Sequence, residues 1–430
     1  MNRVLFLKLM ESQLLAYHNH DPKFKFLSYD NIDEYDELNK LFFWVLALRN
    51  DERNENIQKK FGHVPYLNSS LFDATKLEHS TIRISNLDDK SLMDLYSRSV
   101  LKKGANPPEG PLNTLDYLLR FLDAYNFSAE SSGGIQTEDK ALINASVLGL
   151  IFEKINGYKD GSFFTPGFIT EYMARETLRK SVLDKFNEAF GWDCSEFDEL
   201  KRKMESVELE KANEVVNSIT VCDPAVGSGH FLVSCLNELI AIKSELKILC
   251  DHEGKRIPYL DIEVENDELA IEHEGELFEY KLNHEWKNGK VIRKPAGSDR
   301  QRVQVALFHE KKFLIENCLF GVDINPNSVK ICRLRLWIEL LKHAYYRSDE
   351  DYSELEVLPN IDINIKQGNS LVSRFELDED LSSIFKKGDH SLEDYKQAVR
   401  SYRETRDRSE KQHLQTLIDD IKADIGCKAL

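Results

Sequence analysis

The stretch that decides the fold is "DPAVGSGHFL" (223–232), which joins two segments of different periodicity. The short apolar run before it, "SITVCD" (218–223), predicts a β-strand, and the apolar pattern after it, "HFLVSCLNELIAIKSELKIL" (230–249), predicts a long helix. The connection contains Gly227 and Gly229, which allow a tight turn and a close approach of the backbone to a ligand. A strand, a glycine-rich turn and a helix in this order are typical of a ligand-binding edge of an α/β sheet.

The same alternation of strand and helix continues downstream. "NCLFGVDI" (317–324) predicts a second strand, "NSVKICRLRLWIELLKHAY" (327–345) a helix, and "NIDINIKQG" (360–368) a third strand with alternating isoleucines. Strands that alternate with helices indicate a parallel, doubly wound sheet. One segment interrupts the pattern, because "IPYLDIEVENDELAIEHEGELFEYKL" (257–282) alternates in the manner of β-strands separated by turns. We interpret it as a small antiparallel meander inserted after the first crossover helix.

Composition excludes several classes of protein. The chain of 430 residues has room for two or three domains, and no apolar run is long enough to cross a membrane. Its seven cysteines include no Cys-x-x-Cys pair, which argues for reduced thiols, a cytoplasmic location and no zinc site. The net charge of −17 is unfavourable for binding nucleic acid. Either the partner is not nucleic acid, or the basic surface is local, or it lies outside this chain.

The quoted loop suggests a particular kind of ligand. Ligands of parallel sheets bind at the carboxyl ends of the strands, and the amino terminus of the following helix attracts an anion there. Asp223 adds a carboxylate at the same place. The loop is not a dinucleotide-binding loop, since Leu232 replaces the third glycine, and it lacks the Gly-Lys-Ser/Thr of a P-loop. A ligand with one small anionic group and an amine fits best, and S-adenosylmethionine has both.

Three further segments support S-adenosylmethionine. Asp323 ends the second strand, where an acid would bind both ribose hydroxyls, and Asn369 follows the third strand, where an amide can bind the adenine edge. In "FFTPGFITEYM" (163–173), Thr165 begins a Thr-Pro turn that could cap a helix and close over the methionine. Simpler roles remain open, because Asp323 and Thr165 could be helix caps and Asn369 a turn residue. The residues that we expect to contact the cofactor are Thr165, Pro166, Asp223, Pro224, Ala225, Gly227, Gly229, Phe231, Asp323, Ile324, Asn369 and Ser370.

Taken together, these segments resemble the DNA methyltransferases that modify adenine N6, in the gamma order, where the Thr-Pro segment precedes the glycine loop. "VPYLNSSLFD" (64–73) and "LGLIFEKINGYKDGSFFTP" (148–166) are similar to segments of fused restriction-modification enzymes of type IIG/IIS. The resemblance covers roughly residues 40–375. It implies a Rossmann-like S-adenosylmethionine-dependent methyltransferase fold and DNA as the partner. The chain departs from the family at Ser69-Ser70, where Gly-Gly is usual, and at Asn369, where many members have Asp.

The catalytic motif of that family is not found in this chain. Family members hold the extruded adenine with an Asn-Pro-Pro-aromatic motif, which in the gamma order lies downstream of the third strand. Nothing of this form occurs between Leu371 and Leu430, and Asn106-Pro107-Pro108 is followed by Glu109 in an upstream loop. We therefore assign no catalytic residue and expect the motif, and most of the DNA-contacting surface, outside this chain. Glu-x-Lys pairs, which occur in Mg²⁺-dependent nucleases, are about as frequent here as chance predicts for so charged a chain. We therefore assign no metal site.

These observations predict three parts. A mostly helical domain (1–160) precedes an S-adenosylmethionine-binding methyltransferase domain (161–375), whose incomplete parallel sheet carries the β insertion at about 252–300, and a charged helical segment (376–430) follows. We expect the cofactor-binding part of an adenine-N6 DNA methyltransferase that is inactive on its own. Two alternatives remain: the cofactor domain of an RNA or protein methyltransferase, and a module with a cofactor-like fold but no catalysis.

Overall fold

The computed structural model describes residues 2–67, 78, 80–81, 83–103, 107–128, 141–157, 165–287, 290–356, 358–359, 361–372, 390–405 and 407–428. Their α-helices are α1 (Asn2–Tyr17), α2 (Tyr35–Lys40), α3 (Glu55–Phe61), α4 (Thr114–Asp123), α5 (Ala145–Gly157), α6 (Gly167–Phe190), α7 (Phe197–Lys203), α8 (Leu209–Asn217), α9 (His230–Glu245), α10 (Ser298–Asn317), α11 (Pro326–Leu341), α12 (Leu392–Glu404) and α13 (Arg408–Lys428). A π-helical turn, Leu41–Val45, follows α2, and short 3₁₀ turns join several of the other elements.

The strands are short and form several small sheets. They are β1 (Leu92–Met93), β2 (Leu112–Asn113), β3 (Asn126–Phe127), β4 (Leu142–Ile143), β5 (Val221–Asp223), β6 (Leu260–Glu265), β7 (Glu268–His273), β8 (Glu276–Leu277), β9 (Leu282–Lys287), β10 (Lys290–Pro295), β11 (Leu319–Asp323) and β12 (Ile365–Gln367). The mixed α/β class predicted from the sequence is confirmed. The paired strands β1–β2 and β3–β4 were not predicted, since each comprises only two residues.

A three-stranded parallel sheet in the order β12-β11-β5 lies at the centre of the predicted site. Its register pairs Leu319 with Val221 and Gly321 with both Asp223 and Ile365. All three strands therefore end at the same edge, where their carboxyl-terminal residues and the connections that follow them meet. The positions of β5, β11 and β12 agree with the three strand-like runs of the sequence, although each strand is shorter than its run.

The third strand begins later than its alternating isoleucines predict. Residues 361–363 form a 3₁₀ turn, and only Ile365–Gln367 extends as a strand. The cause is Asn364, whose buried amide donates to the carbonyls of Ile315, Glu316 and Leu319 at 2.9–3.0 Å. These three bonds fasten the chain beneath the junction of α10 and β11. A polar anchor of this kind has no signature in the spacing of apolar residues.

The insertion between α9 and α10 contains two antiparallel units. Strands β6, β7 and β8 form the predicted meander, with Ile262 opposite Ile271, and β9 pairs with β10 as a separate hairpin that was not predicted. The first unit lies along α9, because the Ser244 hydroxyl donates to the carbonyl of Leu260 and accepts the N–H of Ile262, both at 3.1 Å. The insertion is therefore packed on the helix that leaves the glycine loop.

Buried side chains form a continuous core from α1 to β12. Helix α6 contributes a stripe at every fourth residue, from Thr170 through Ala174 and Leu178 to Phe186, and packs on α9, which is buried over most of its length. The helical segment α12–α13 has its own small core, which includes Tyr402 and contacts Ile363 beside the edge strand β12. The charged C-terminal helices thus pack beside the sheet edge.

Candidate cofactor-binding site

The loop between β5 and α9 is fastened to the neighbouring strand. Val226 is buried, and its N–H donates to the carbonyl of Val322 in β11 at 2.9 Å. The N–H of Gly229 then donates back to the carbonyl of Val226 at 2.8 Å, which closes the turn. The loop consequently lies over the ends of both strands, with Gly227 between these two anchor points.

Gly227 and the residue after it are each held by a different element. The N–H of Gly227 donates to Asp323 Oδ2 at 2.8 Å, so the last residue of β11 binds the loop directly. The buried hydroxyl of Ser228 donates to Glu153 of α5, which also accepts from Arg335 of α11 at 3.2 Å. Sequence reasoning had assigned no role to Ser228 or Glu153, because nothing in the spacing of the loop connects it with α5.

The next two residues contact two further elements. A Cβ built on Gly229 would lie 2.5 Å from Cys332 Sγ of α11, and Gly229 has φ +80°, so only glycine fits here without a shift. The imidazole of His230 is buried, and its Nε2 lies 2.7 Å from Oδ2 of Asp267, in the turn between β6 and β7. Four consecutive residues, 227–230, are thus fixed by β11, α5, α11 and the insertion in turn.

The amino terminus of α9 is not capped by a side chain. Its N-cap residue is Gly229, and within the described part of the chain no side chain caps the helix. The first N–H groups of a helix have no acceptors within the helix, and they carry the positive end of its dipole. These groups are therefore available to a small anion at the edge of the sheet where β5 and β11 end.

Two carboxylates lie at the same edge. Asp223 ends β5, and its Oδ1 accepts the N–H of Ala225 at 3.0 Å, which fixes the start of the loop. Burial raises the pKa of Asp223, and the charge of Asp323 raises it further. A cation near the two carboxylates would favour their charged forms and offset both effects, so the site attracts a positive group next to the uncapped helix. Such an arrangement can bind a ligand that carries both an anionic and a cationic group.

Asp323 contributes to two turns at once. Its Oδ2 holds Gly227, and its Oδ1 accepts the N–H of Asn325 at 2.8 Å, ahead of α11. The helix cap itself is Asn325, whose side chain accepts the N–H of Asn327 at 2.9 Å. Asp323 is therefore not the cap of α11, and its two oxygens instead bind the glycine loop and the turn before that helix. A carboxylate oxygen has a second lone pair, so both oxygens can still accept from a hydroxyl.

The residues after β12 adopt a turn at this edge. Gly368 donates its N–H to the carbonyl of Asp323 at 3.0 Å, and the exposed residues Asn369 and Ser370 follow. Asn369 Oδ1 accepts the N–H of Leu371 at 3.0 Å. The turn role considered for Asn369 is thus present, and the adenine contact stays a prediction.

Thr165 and Pro166 lie exposed before α6. The expected cap by Thr165 is wrong, because the N-cap is Pro166 and no side chain caps this helix. The carbonyl of Pro166 accepts the N–H groups of Ile169 and Thr170, at 3.0 and 3.3 Å. The segment still adjoins the glycine loop, since a Cβ on Gly167 would lie 2.9 Å from His230 Nε2.

The remaining predicted residues surround this edge. Pro224 and Ala225 are exposed in the loop, and Phe231 is half-buried against the core. The side chain of Ile324 is 68% exposed immediately after Asp323, which suits contact with a flat apolar group.

Ser69, Ser70 and Asn106 lie outside the described residues. Within the described part of the chain, no group of three or more His, Cys, Asp or Glu side chains could hold a metal ion.

An open groove of about 720 Å³ lies elsewhere, between the start of α10 and the segment after α11. None of the predicted site residues lines it. Two of its arginines are already paired, Arg302 with Asp251 at 2.6 Å and Arg347 with Asp349 at 3.0 Å. The groove therefore offers no concentration of unpaired charge, and the edge formed by β5, β11 and β12 remains the better candidate.

Comparison with known proteins supports the same segment. Residues 197–412, half of the chain, match the family described as "MmeI, DNA-methyltransferase domain". The chain belongs to this family of MmeI-type methyltransferase domains. The match contains β5, the glycine loop, the insertion, β11 and β12. Residues 1–143 match a separate domain of unknown function, DUF7814. The resemblance to DNA methyltransferases is thereby confirmed, whereas the gamma order and the type IIG/IIS assignment stay predictions.

One curated relative of this MmeI-type chain is a putative type II restriction enzyme and methyltransferase of Methanocaldococcus jannaschii. The two are 28% identical over 411 residues, which is 89% of this chain but 28% of the relative. The chain thus spans little more than a quarter of that protein. Among solved structures, the type IIL restriction-modification enzyme MmeI in complex with DNA aligns with a TM-score of 0.43 and 15% identity, over 86% of this chain and 36% of that one.

Within the described residues, no helix is long and apolar enough to cross a membrane.

Proposed function

We propose that the edge formed by β5, β11 and β12 binds S-adenosylmethionine, and that the chain is the cofactor-binding part of an adenine-N6 DNA methyltransferase of a restriction-modification system. The observation that carries this proposal is the uncapped amino terminus of α9 beside the carboxylates of Asp223 and Asp323. The membership of the chain in a methyltransferase family supports the same cofactor.

The residues present fit each part of this cofactor. The N–H groups at the start of α9 would bind the methionine carboxylate, and Asp223 would attract the ammonium group, directly or through water. Asp323 would accept from the ribose hydroxyls while it keeps its bond to Gly227. The exposed Ile324 would contact the adenine face, and Asn369 its edge. Thr165, Pro166 and Ser370 would border the ligand, and Phe231 would support it from the core.

When bound, S-adenosylmethionine supplies an electrophilic methyl group on a sulfonium centre. The residues named above would bind and orient its carrier, and we assign none of the described residues to hold an extruded base. We therefore propose that an Asn-Pro-Pro-aromatic motif and most DNA contacts belong to other parts of the full protein. The proposal includes a Rossmann-like sheet, of which β12, β11 and β5 are three strands, and the division of the chain at residues 160 and 375.

The test is calorimetric titration of the chain with S-adenosylmethionine, using Gly227→Val against Gly275→Val. Both glycines have positive φ, +54° and +78°, so valine strains the backbone at either position, and nothing lies within 4 Å of a Cβ at Gly275. We expect the Gly227 variant to lose the binding signal and the Gly275 variant to bind like the wild type. Gly229→Val is a poorer probe, because its Cβ would collide with Cys332 and disturb the fold itself.

The result also separates the alternatives. No heat of binding from the wild type at millimolar cofactor would contradict the proposal and favour a non-catalytic module. Binding by the chain, followed by methylation of RNA or protein but not of DNA by the full protein, would favour the other methyltransferase classes. Equal affinity in the wild type and the Gly227 variant would move the binding site away from this loop.

A further inference from the structure

The turn between β6 and β7 places a charged side chain in the interior, beneath the glycine loop. Asp267 is 6% exposed, although it lies at the tip of an inserted hairpin where charged residues normally face solvent. Asn266 and Asp267 have φ of +52° and +65°, as the tight turn requires. The hairpin is therefore bent so that its second turn residue points into the protein.

Asp267 contacts one face of α9 through both its side chain and its backbone. Oδ2 accepts from His230 Nε2 at 2.7 Å, Oδ1 accepts from the Ser234 hydroxyl at 2.8 Å, and the carbonyl accepts from Asn237 Nδ2 at 2.9 Å. Residues 230, 234 and 237 follow one another along a single helix face. A buried carboxylate is costly unless it is fully bonded, so these contacts fix the turn and the helix relative to each other.

Two further contacts stabilise the packing of this turn on α9. Glu268, the next residue in the hairpin, pairs with Lys342 at the end of α11. On the other side, the hydroxyl of Thr170 in α6 lies 3.0 Å from that of Ser234. The turn thus connects α9 with the two helices that flank it, and Gly167 at the start of α6 abuts the same imidazole of His230.

We propose that Asp267 is a positioning residue for the cofactor site: through His230 it fixes the amino terminus of α9, and so makes the inserted hairpin part of the cofactor-binding apparatus. His230 directly follows the N-cap Gly229, so a displacement of its side chain moves the N–H groups that would bind the anionic end of the ligand. Hydrogen bonds to such groups weaken steeply with angle and distance. The inference rests on the proposed S-adenosylmethionine site.

The first test needs no ligand. Asp267→Gly removes the carboxylate, while glycine adopts the required positive φ at no strain, and Asn266→Gly is the matched control in the same turn, since Asn266 is exposed. Amide hydrogen exchange should become at least tenfold faster at Gly227 and Gly229, whose N–H groups donate to Asp323 and Val226, in Asp267→Gly and stay unchanged in Asn266→Gly. The β9–β10 ladder should exchange at wild-type rates in both variants, which excludes a general loss of stability as the cause.

The second test measures cofactor affinity in the same variants. We expect Asp267→Gly to bind S-adenosylmethionine at least tenfold more weakly, and Asp267→Asn to recover most of the loss, because an amide oxygen can still accept from His230 or Ser234. The losses of Asp267→Gly and His230→Gln should not add in the double variant. Unchanged loop exchange in Asp267→Gly overturns the inference. If exchange in the loop becomes faster but the chain binds no cofactor, the role of Asp267 in positioning the loop is retained and the proposed function is rejected.

Discussion

The carboxylate of Asp323 and the backbone N–H of Gly227 are 2.8 Å apart, although 96 residues separate them in the sequence. The end of one strand thus holds the loop that leaves its neighbour. The same carboxylate is the group expected to bind the ribose, so loop geometry and ligand contact depend on one side chain.

We predict that Asp323→Ala lowers the affinity for S-adenosylmethionine at least tenfold. Two charge-assisted hydrogen bonds to the ribose, each about 1.5–3 kcal/mol when buried, are lost together with the bond to Gly227. Asp323→Asn should lie between, because its amide oxygen retains an acceptor. Calorimetric titration measures the affinity of both variants for the cofactor. Asn325→Ala is the control, since it removes the side-chain cap of α11. If Asp323→Ala reduces the melting temperature but not the affinity, Asp323 has a structural role alone.

Acid should destabilise the N-terminal region through two histidines. Burial, followed by the charge of Arg293, lowers the pKa of His18 to about 3, and burial with Arg293 and Arg53 lowers the pKa of His63 to about 4. Above the unfolded pKa near 6.5 both states are neutral and stability is complete. Below it the unfolded chain binds protons that the folded chain does not, so stability falls until the folded pKa values are passed, by up to about 1.4 kcal/mol per pH unit for each histidine.

The measurement is urea unfolding between pH 7.5 and 5. Replacing His63 by Phe should flatten the pH dependence, and it should not destabilise the protein at pH 7.5, because Nε2 of His63 is buried without a hydrogen-bond partner among the described residues. The aromatic contacts of this ring with Phe24 and Trp286 can be kept by Phe. A pH dependence identical to that of the wild type would show that His63 does not contribute.

Replacing Lys342 by Met should destabilise the fold by about 3–5 kcal/mol, since it leaves the buried carboxylate of Glu268 without its counter-charge. Lys342 pairs with Glu268 and, at 2.5 Å, with Glu339, which Lys311 contacts at 3.0 Å, and all four side chains are at most 5% exposed. Adding Glu268→Gln should recover part of the loss, because Glu339 keeps Lys311. Denaturant midpoints measure the effect, and Lys255→Met at the exposed pair with Glu253 is the control that should change little. An equal loss in the single and double variants would contradict the pairing.

The chain alone should bind the cofactor without turning it over. It contains no Asn-Pro-Pro-aromatic sequence, and Asn106 is followed by two prolines and Glu109 in an upstream position. A tritiated-methyl transfer assay on mixed genomic DNA should therefore show incorporation with the full protein and none with this chain, whose DNA binding should be weak and sensitive to salt. Incorporation by the chain that disappears in Asn106→Ala would identify Asn106 as catalytic and reverse the motif order assumed here.

The local parts of the fold were predictable because they depend on neighbouring residues. The strand, turn and helix around Gly227 and Gly229 follow from apolar spacing and from the conformational freedom of glycine, and the meander at 257–282 follows from its alternation. The 3₁₀ turn at 361–363 was not predicted, since its cause is the bonding of Asn364 to distant carbonyls.

Contacts between elements far apart in the sequence could not be predicted. Nothing in the spacing of Asp267 connects it with His230, and nothing in that of Glu153 connects it with Ser228. The first pair meets only when the insertion packs on α9, and the second only when α5 packs on α11. The missing side-chain cap of α6 is instead a local difference, because the N-cap is Pro166, which cannot accept through its side chain. The spacing of apolar residues therefore does not predict polar contacts between residues that are far apart in the sequence.

The pairing of β5 with β11 also fixes an order of assembly during synthesis. Leu319 pairs with Val221 across the whole insertion, and closing so long a connection is slow compared with the local contacts of the hairpins and α9. The insertion leaves the ribosome before β11 and can pack on α9 while β5 still lacks its neighbour. A nascent chain that stops short of Asp323 therefore carries every residue of the glycine loop but lacks the carboxylate that holds Gly227 in the folded protein.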